Sequence, residues 1–170
     1  RGFIKLRQAI CKFLKRKYDV DYKADTEVLV TVGGSEAIDL CVRSIINPGD
    51  EVLIPEPSFV CYVPIVEMAG GIPVIIETKV ENDFRLTADE LDSHITDKTK
   101  MLILPLPNSP TGAVMRRDDL EALAKIIEKH DLIVLSDEIY SELNYGEVRH
   151  TCFSELEGMC ERTVIINGFY

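Results

Sequence analysis

Short apolar runs rich in β-branched residues alternate with helix-like segments along the whole chain, and this alternation limits the fold more than any other feature. Val28-Leu-Val-Thr-Val32, Glu51-Val-Leu-Ile54, Ile72-Pro-Val-Ile-Ile76, Lys100-Met-Leu-Ile-Leu104, Leu132-Ile-Val-Leu135 and Thr163-Val-Ile-Ile166 read as six strands. Strands that are apolar without a break are buried on both faces. Helices between such strands imply a mostly parallel sheet with a helical layer on each side, a three-layer α/β/α architecture. In sheets of this kind ligands bind beyond the carboxyl ends of the strands. Each motif can therefore be judged by whether it directly follows a strand.

The intervening helices carry their own signals. Phe3, Leu6, Ile10, Phe13 and Leu14 recur at helical spacing, and the basic cluster Lys12, Lys15, Arg16 and Lys17 suits the C-terminal end of that helix. Ser35 to Ile46 reads as a helix stopped by Asn47-Pro-Gly-Asp50, and Phe59 to Met68 as another closed by Gly70-Gly71. Thr87-Ala-Asp-Glu90 has the spacing of a capping box and opens a helix to about Ile95. Asp118-Asp-Leu-Glu121 opens a helix whose apolar face includes Leu120, Leu123, Ala124 and Ile127. A short helix is expected around Phe153 to Met159.

A chain of 170 residues can bury a substantial single core. Its net charge of −10 argues against nucleic acid as a partner, because a phosphate backbone needs a basic face. No apolar run approaches the length of a membrane span, which argues against a membrane partner. Five cysteines without CxxC spacing read as free thiols, with Cys11, Cys41 and Cys61 expected buried in helices. Free thiols suit a reducing cytoplasm. His94, His130 and His150 are far apart, read as surface or helix-end residues, and make no metal pattern.

Four stretches carry chemistry. Thr31-Val-Gly-Gly-Ser-Glu-Ala37 follows the first apolar run and opens a helix. Gly33 and Gly34 allow a tight turn, and the amides of Ser35 and Glu36 with the Ser35 hydroxyl can hold a phosphate at the positive helix end. A plain serine-capped turn would look the same. Pro55-Glu-Pro-Ser-Phe59 stiffens a loop that would present Phe59 to a flat heterocycle, or place it in the core. Tyr62, one turn on, could line the same pocket. Leu104-Pro-Leu-Pro-Asn-Ser-Pro-Thr-Gly112 is a rigid loop offering Asn108, Ser109 and Thr111 to a ligand, or an ordinary proline turn. Ser136-Asp-Glu-Ile-Tyr140 ends a strand, so the Asp137 carboxylate would sit deep and need a cationic partner. A protonated ring nitrogen would serve, and Tyr140 could reach a phenolic oxygen on the same ring. A metal-binding Asp-Glu pair and a structural acid are the alternatives.

Together these stretches resemble the class I/II aminotransferases, the fold-type I enzymes dependent on pyridoxal phosphate. Gly2-Phe-Ile-Lys-Leu-Arg-Gln-Ala-Ile10, Val32-Gly-Gly-Ser-Glu-Ala37, Pro55-x-Pro-x-Phe59, Pro110-Thr-Gly112 and Asp137-x-x-Tyr140 fall in that family's order and spacing. The resemblance implies that Gly34, Ser35 and Glu36 bind the phosphate of pyridoxal 5'-phosphate and that Phe59 stacks on its ring. It implies that Asp137 pairs with the ring nitrogen and that Tyr140 donates to the phenolic oxygen. Relatives carry asparagine directly before Pro-Thr-Gly; here Ser109 stands there, with Asn108 one residue earlier.

The implied activity is transfer of an amino group between an amino acid and a 2-oxo acid, in a full-length homodimer. A C–S lyase-like enzyme of the same fold and a non-catalytic truncated piece are the alternatives. The missing GxGxxG counts against a Rossmann-type dehydrogenase. Residues 1–170 read as part of the large, cofactor-binding domain. The N-terminal segment and C-terminal small domain are expected to lie outside it, and the Schiff-base lysine just after Tyr170.

Overall fold

The computed structural model of the chain describes residues 1–146 and 148–169. Five of the six apolar runs form one parallel sheet: β1 (Glu51–Glu56), β2 (Ile72–Glu77), β3 (Thr99–Pro105), β4 (Ile133–Asp137) and β5 (Thr163–Ile166). Their order is β2-β1-β3-β4-β5. The central strands are buried almost end to end, as their unbroken apolar sequences require. β2 lies at an edge, where Pro73 and its missing N–H are tolerated.

Alternate residues of each strand point to opposite faces, and the two faces bury different helices. Val52, Ile54, Met101, Ile103 and Leu135 join the core formed with α2 (Gly34–Ile45) and α3 (Tyr62–Met68). Leu53, Leu102, Leu104 and Val134 join the core formed with α4 (Ala88–Ser93) and α5 (Arg117–Lys129). The result is the three-layer α/β/α arrangement. α1 (Ile4–Tyr18) contributes Leu14 and Tyr18 to a smaller cluster with Cys152. Three of the expected basic residues, Lys15, Arg16 and Lys17, fall in its last turn.

Local signals for α4 and α5 are realised in detail. The Thr87 hydroxyl accepts from the Glu90 amide at 3.2 Å while the Glu90 carboxylate accepts from the Thr87 amide at 3.0 Å, a closed capping box. Leu120, Leu123, Ala124 and Ile127 of α5 are all buried.

Several expectations are corrected. Residues 28–32 form no strand. A β-branched run becomes one only where a neighbour offers a row of donors and acceptors. Here the Val30 amide meets only the Arg1 carbonyl, at 3.3 Å, and Val32 lies almost wholly exposed. α3 begins at Tyr62 rather than Phe59, because a turn closed by the Tyr62 amide on the Phe59 carbonyl precedes it at 3.2 Å. The stretch after Thr151 holds two 3₁₀ turns, Phe153–Glu155 and Cys160–Arg162, rather than one α-helix. Cys11, Cys41 and Cys61 are half-buried, though all five thiols are free. His94 and His130 cap helices as expected, but the His150 side chain is buried against Glu138. Tyr170, expected to precede the reactive lysine, lies outside the described residues.

Candidate active site

Because every strand runs the same way, Glu56, Glu77, Pro105, Asp137 and Ile166 all finish at one end of the sheet. Asp137 lies opposite Pro105 in the ladder, which brings the Pro-Thr-Gly loop beside it. A cavity of about 100 Å³ opens there. Gly34, Ser35, Phe59, Ser109, Asp137 and Tyr140 all line it, although they span more than 100 residues of sequence. Pro107, Ser109 and Tyr140 also border a larger adjoining groove of about 800 Å³.

One wall is the start of α2. Gly33 has φ 88° and ψ 165°, a conformation essentially open to glycine alone. No side chain caps this helix. The first amides of a helix have no intrahelical acceptor, so this end faces the cavity with donors and the positive pole of the dipole. Gly34 packs closely: an added Cβ would lie 2.9 Å from Ile139 Cδ1. The Glu36 side chain turns back to accept from the Val32 amide and does not line the cavity.

Asp137 forms the floor and is 6% exposed. Its Oδ2 accepts from Tyr62 Oη at 2.7 Å, and its Oδ1 accepts from the Ile139 amide at 3.3 Å. Burial raises its pKa above the ordinary carboxyl value, the two donors oppose that rise, and the charge of Glu138 adds to it. No lysine, arginine or histidine among the described residues offsets its charge. A buried carboxylate with no cation beside it among the described residues, in the lining of a cavity, suits a positively charged ligand.

Phe59 is half-buried, packs edge-on against Tyr62 with ring centres 5.6 Å apart, and keeps one side on the cavity. Tyr140 is 37% exposed at the rim. Asn108 lies beside the groove rather than in the cavity. Its Nδ2 donates to the Pro57 carbonyl at 3.0 Å and ties the two proline loops together, while its Oδ1 is buried without a partner.

Two interactions go beyond the sequence motifs. The Tyr62–Asp137 bond joins residues 75 positions apart, and only the placing of Tyr62 one turn after Phe59 hinted at it. Glu138, fully buried on the opposite sheet face, accepts from Ser136 Oγ at 2.9 Å, the Phe153 amide at 3.0 Å and His150 Nε2 at 2.9 Å. It anchors the far end of the loop that carries Tyr140. Its position directly after Asp137 is the available signal, since neighbours in a strand face opposite ways.

Comparison with known proteins agrees with this geometry. Residues 1–169 match the family described as aminotransferase class I and II. The chain is 46% identical over 168 residues to a putative aminotransferase, YugH, of Bacillus subtilis (strain 168), and 44% identical to an aspartate aminotransferase of Pyrococcus abyssi. Each match covers 99% of this chain, which spans 43% of the length of either relative. The crystal structure of an aromatic aminotransferase from Pyrococcus horikoshii OT3 superposes with a TM-score of 0.97 at 44% identity, covering 99% of this chain and 45% of that one. The parallel sheet, the site at its carboxyl edge and the sequence match agree: the chain belongs to the class I and II aminotransferase family.

Proposed function

We propose that this chain is part of the cofactor-binding domain of a pyridoxal 5'-phosphate-dependent aminotransferase, which moves an amino group between an amino acid and a 2-oxo acid. The observation that carries the reading is Asp137, a buried acid with no cation beside it among the described residues, sharing one cavity with an uncapped helix N-terminus. Such a cavity suits a ligand with a cationic ring at one end and a phosphate at the other. The residues present fit pyridoxal 5'-phosphate. Gly34, Ser35 and the amide of Glu36 would hold the phosphate, and Phe59 would lie against the ring.

Asp137 would keep a proton on the ring nitrogen. Tyr140 and Ser109, hydroxyl-bearing residues at the rim, would donate toward the phenolic oxygen. Asn108 serves the site by bracing the two loops. When bound, the cofactor supplies an electron-withdrawing ring that weakens the bonds at the amino acid's α-carbon. The adjoining groove leaves room for the substrate's side chain. The amino acid and 2-oxo acid are the substrates, and the full-length protein is a homodimer.

The full-length protein should bind pyridoxal 5'-phosphate, develop a visible absorption band and retain it through dialysis. Aspartate or phenylalanine should then change that band, and 2-oxoglutarate should restore it. Asp137→Ala should bind the cofactor more weakly and lose turnover. A wild-type protein that neither retains the cofactor nor responds to an amino acid would rule this function out.

A further inference from the structure

We infer that Tyr62 is a positioning residue that holds the Asp137 carboxylate ionised and aimed into the cavity, so that a proton shared with a bound ring rests on the ring nitrogen. The inference rests on the proposed cofactor reading and deepens it, because the sequence offered Tyr62 only as a possible wall of the pocket and gave it no action on Asp137.

The argument starts from what the acid lacks. Asp137 is hidden from water, and among the described residues its partners are a phenol and one amide. The remaining ionisable groups around it among the described residues are Glu138, whose charge opposes ionisation, and Tyr140 at the rim. Of the two donors, the Tyr62 hydroxyl is the closer, at 2.7 Å against 3.3 Å. A hydrogen bond to a charged group is among the stronger ones, and it favours the charged form. Tyr62 also remains a donor throughout, because burial and the neighbouring Asp137 charge both push its own ionisation far above the ordinary phenol value.

Position reinforces the point. Tyr62 is the first residue of α3, is 1% exposed, and packs edge-on against Phe59. One side chain therefore touches both the ring proposed to stack on the cofactor and the acid proposed to face its nitrogen. An ionised carboxylate has about four acceptor positions. Tyr62 and the Ile139 amide occupy one on each oxygen, which leaves acceptor capacity for a cation. In the acid–ring pair one proton is shared: it sits either on nitrogen beside a carboxylate, or on oxygen beside a neutral ring. Donation by Tyr62 lowers the energy of the first arrangement relative to the second.

The test uses the full-length protein and Tyr62→Phe, which keeps the aromatic ring in the core. In the unloaded protein, a carbon-13 titration of the Asp137 carboxyl should show its pKa rising by roughly one to two pH units in the variant. In protein loaded with pyridoxal 5'-phosphate labelled with nitrogen-15 in the ring, the variant's signal should move toward that of a neutral pyridine. A Tyr62→Phe protein with lower thermal stability but unchanged carboxyl titration and nitrogen signal would overturn the inference, because that is what a purely structural role predicts. If Tyr62→Phe does not fold, 3,5-difluorotyrosine at position 62 provides the opposite perturbation. Its more acidic phenol should lower the Asp137 pKa and move the nitrogen signal further toward the protonated ring, and no change overturns the inference. Failure of the wild-type protein to bind the cofactor would sink the proposed function. The Asp137 titration would still read the action of Tyr62 on the acid.

Discussion

Asp137 sets burial against charge. The acid is 6% exposed and among the described residues has donors but no cation, so its pKa in the folded chain is raised, mainly by burial. The sign of the pH effect follows from linkage. Below the unfolded value of about 3.9 the acid is protonated in both states and costs nothing. As pH rises from there toward the raised folded value, the unfolded chain ionises more readily than the folded one, and stability is lost. Above the folded value the loss is complete and constant. Asparagine can still accept from Tyr62 and carries no charge. Unloaded full-length Asp137→Asn should therefore match the wild type near pH 3.5, become progressively more stable than it as pH rises, and keep a constant advantage at neutral pH. Thermal unfolding of both proteins across that range checks this, and a difference independent of pH would show that burial of the charge is not the cause.

At the scale of elements, the two sides of the sheet have separate duties. α2 and α3 cover the face whose core includes Tyr62 and Ile38, and both of those residues also line the cavity. α4 and α5 cover the other face and contribute nothing to the cavity lining. Leu123, fully buried near the middle of α5, tests that division. Leu123→Ala should lower stability by about 2–5 kcal/mol in denaturant titration, the usual range for a buried leucine, and leave cofactor affinity unchanged.

The same contrast explains what could be read in advance. The face of α5 and the box on α4 were legible because each depends on residues three or four apart. That Phe59, Ser109, Asp137 and Tyr140 would meet around one cavity was legible because parallel strands deliver whatever follows them to a single edge. Residues 28–32 misled, since propensity cannot supply a missing ladder partner. The Tyr62–Asp137 and His150–Glu138 pairs span 75 and 12 residues. They depend on how helix and loop settle on the sheet, which no local spacing encodes.

For the whole molecule, ligand binding and folding share one free-energy scale. A ligand that binds only the folded protein stabilises it by an amount set by its concentration relative to its dissociation constant, about 2.7 kcal/mol at a hundredfold excess. In the full-length protein, pyridoxal 5'-phosphate should raise the unfolding free energy by about that amount at that excess. Leu123→Ala should lower the starting stability yet show the same increment, since residues in separate cores with no shared partner act additively. Asp137→Ala should show a smaller increment at the same absolute concentration, because the cation's partner is gone, whatever its starting stability. Denaturant titrations with and without cofactor separate these outcomes. If Leu123→Ala and Asp137→Ala reduced the increment equally, the cofactor would be responding to the general integrity of the sheet, and the carboxyl-edge cavity would not be where it binds.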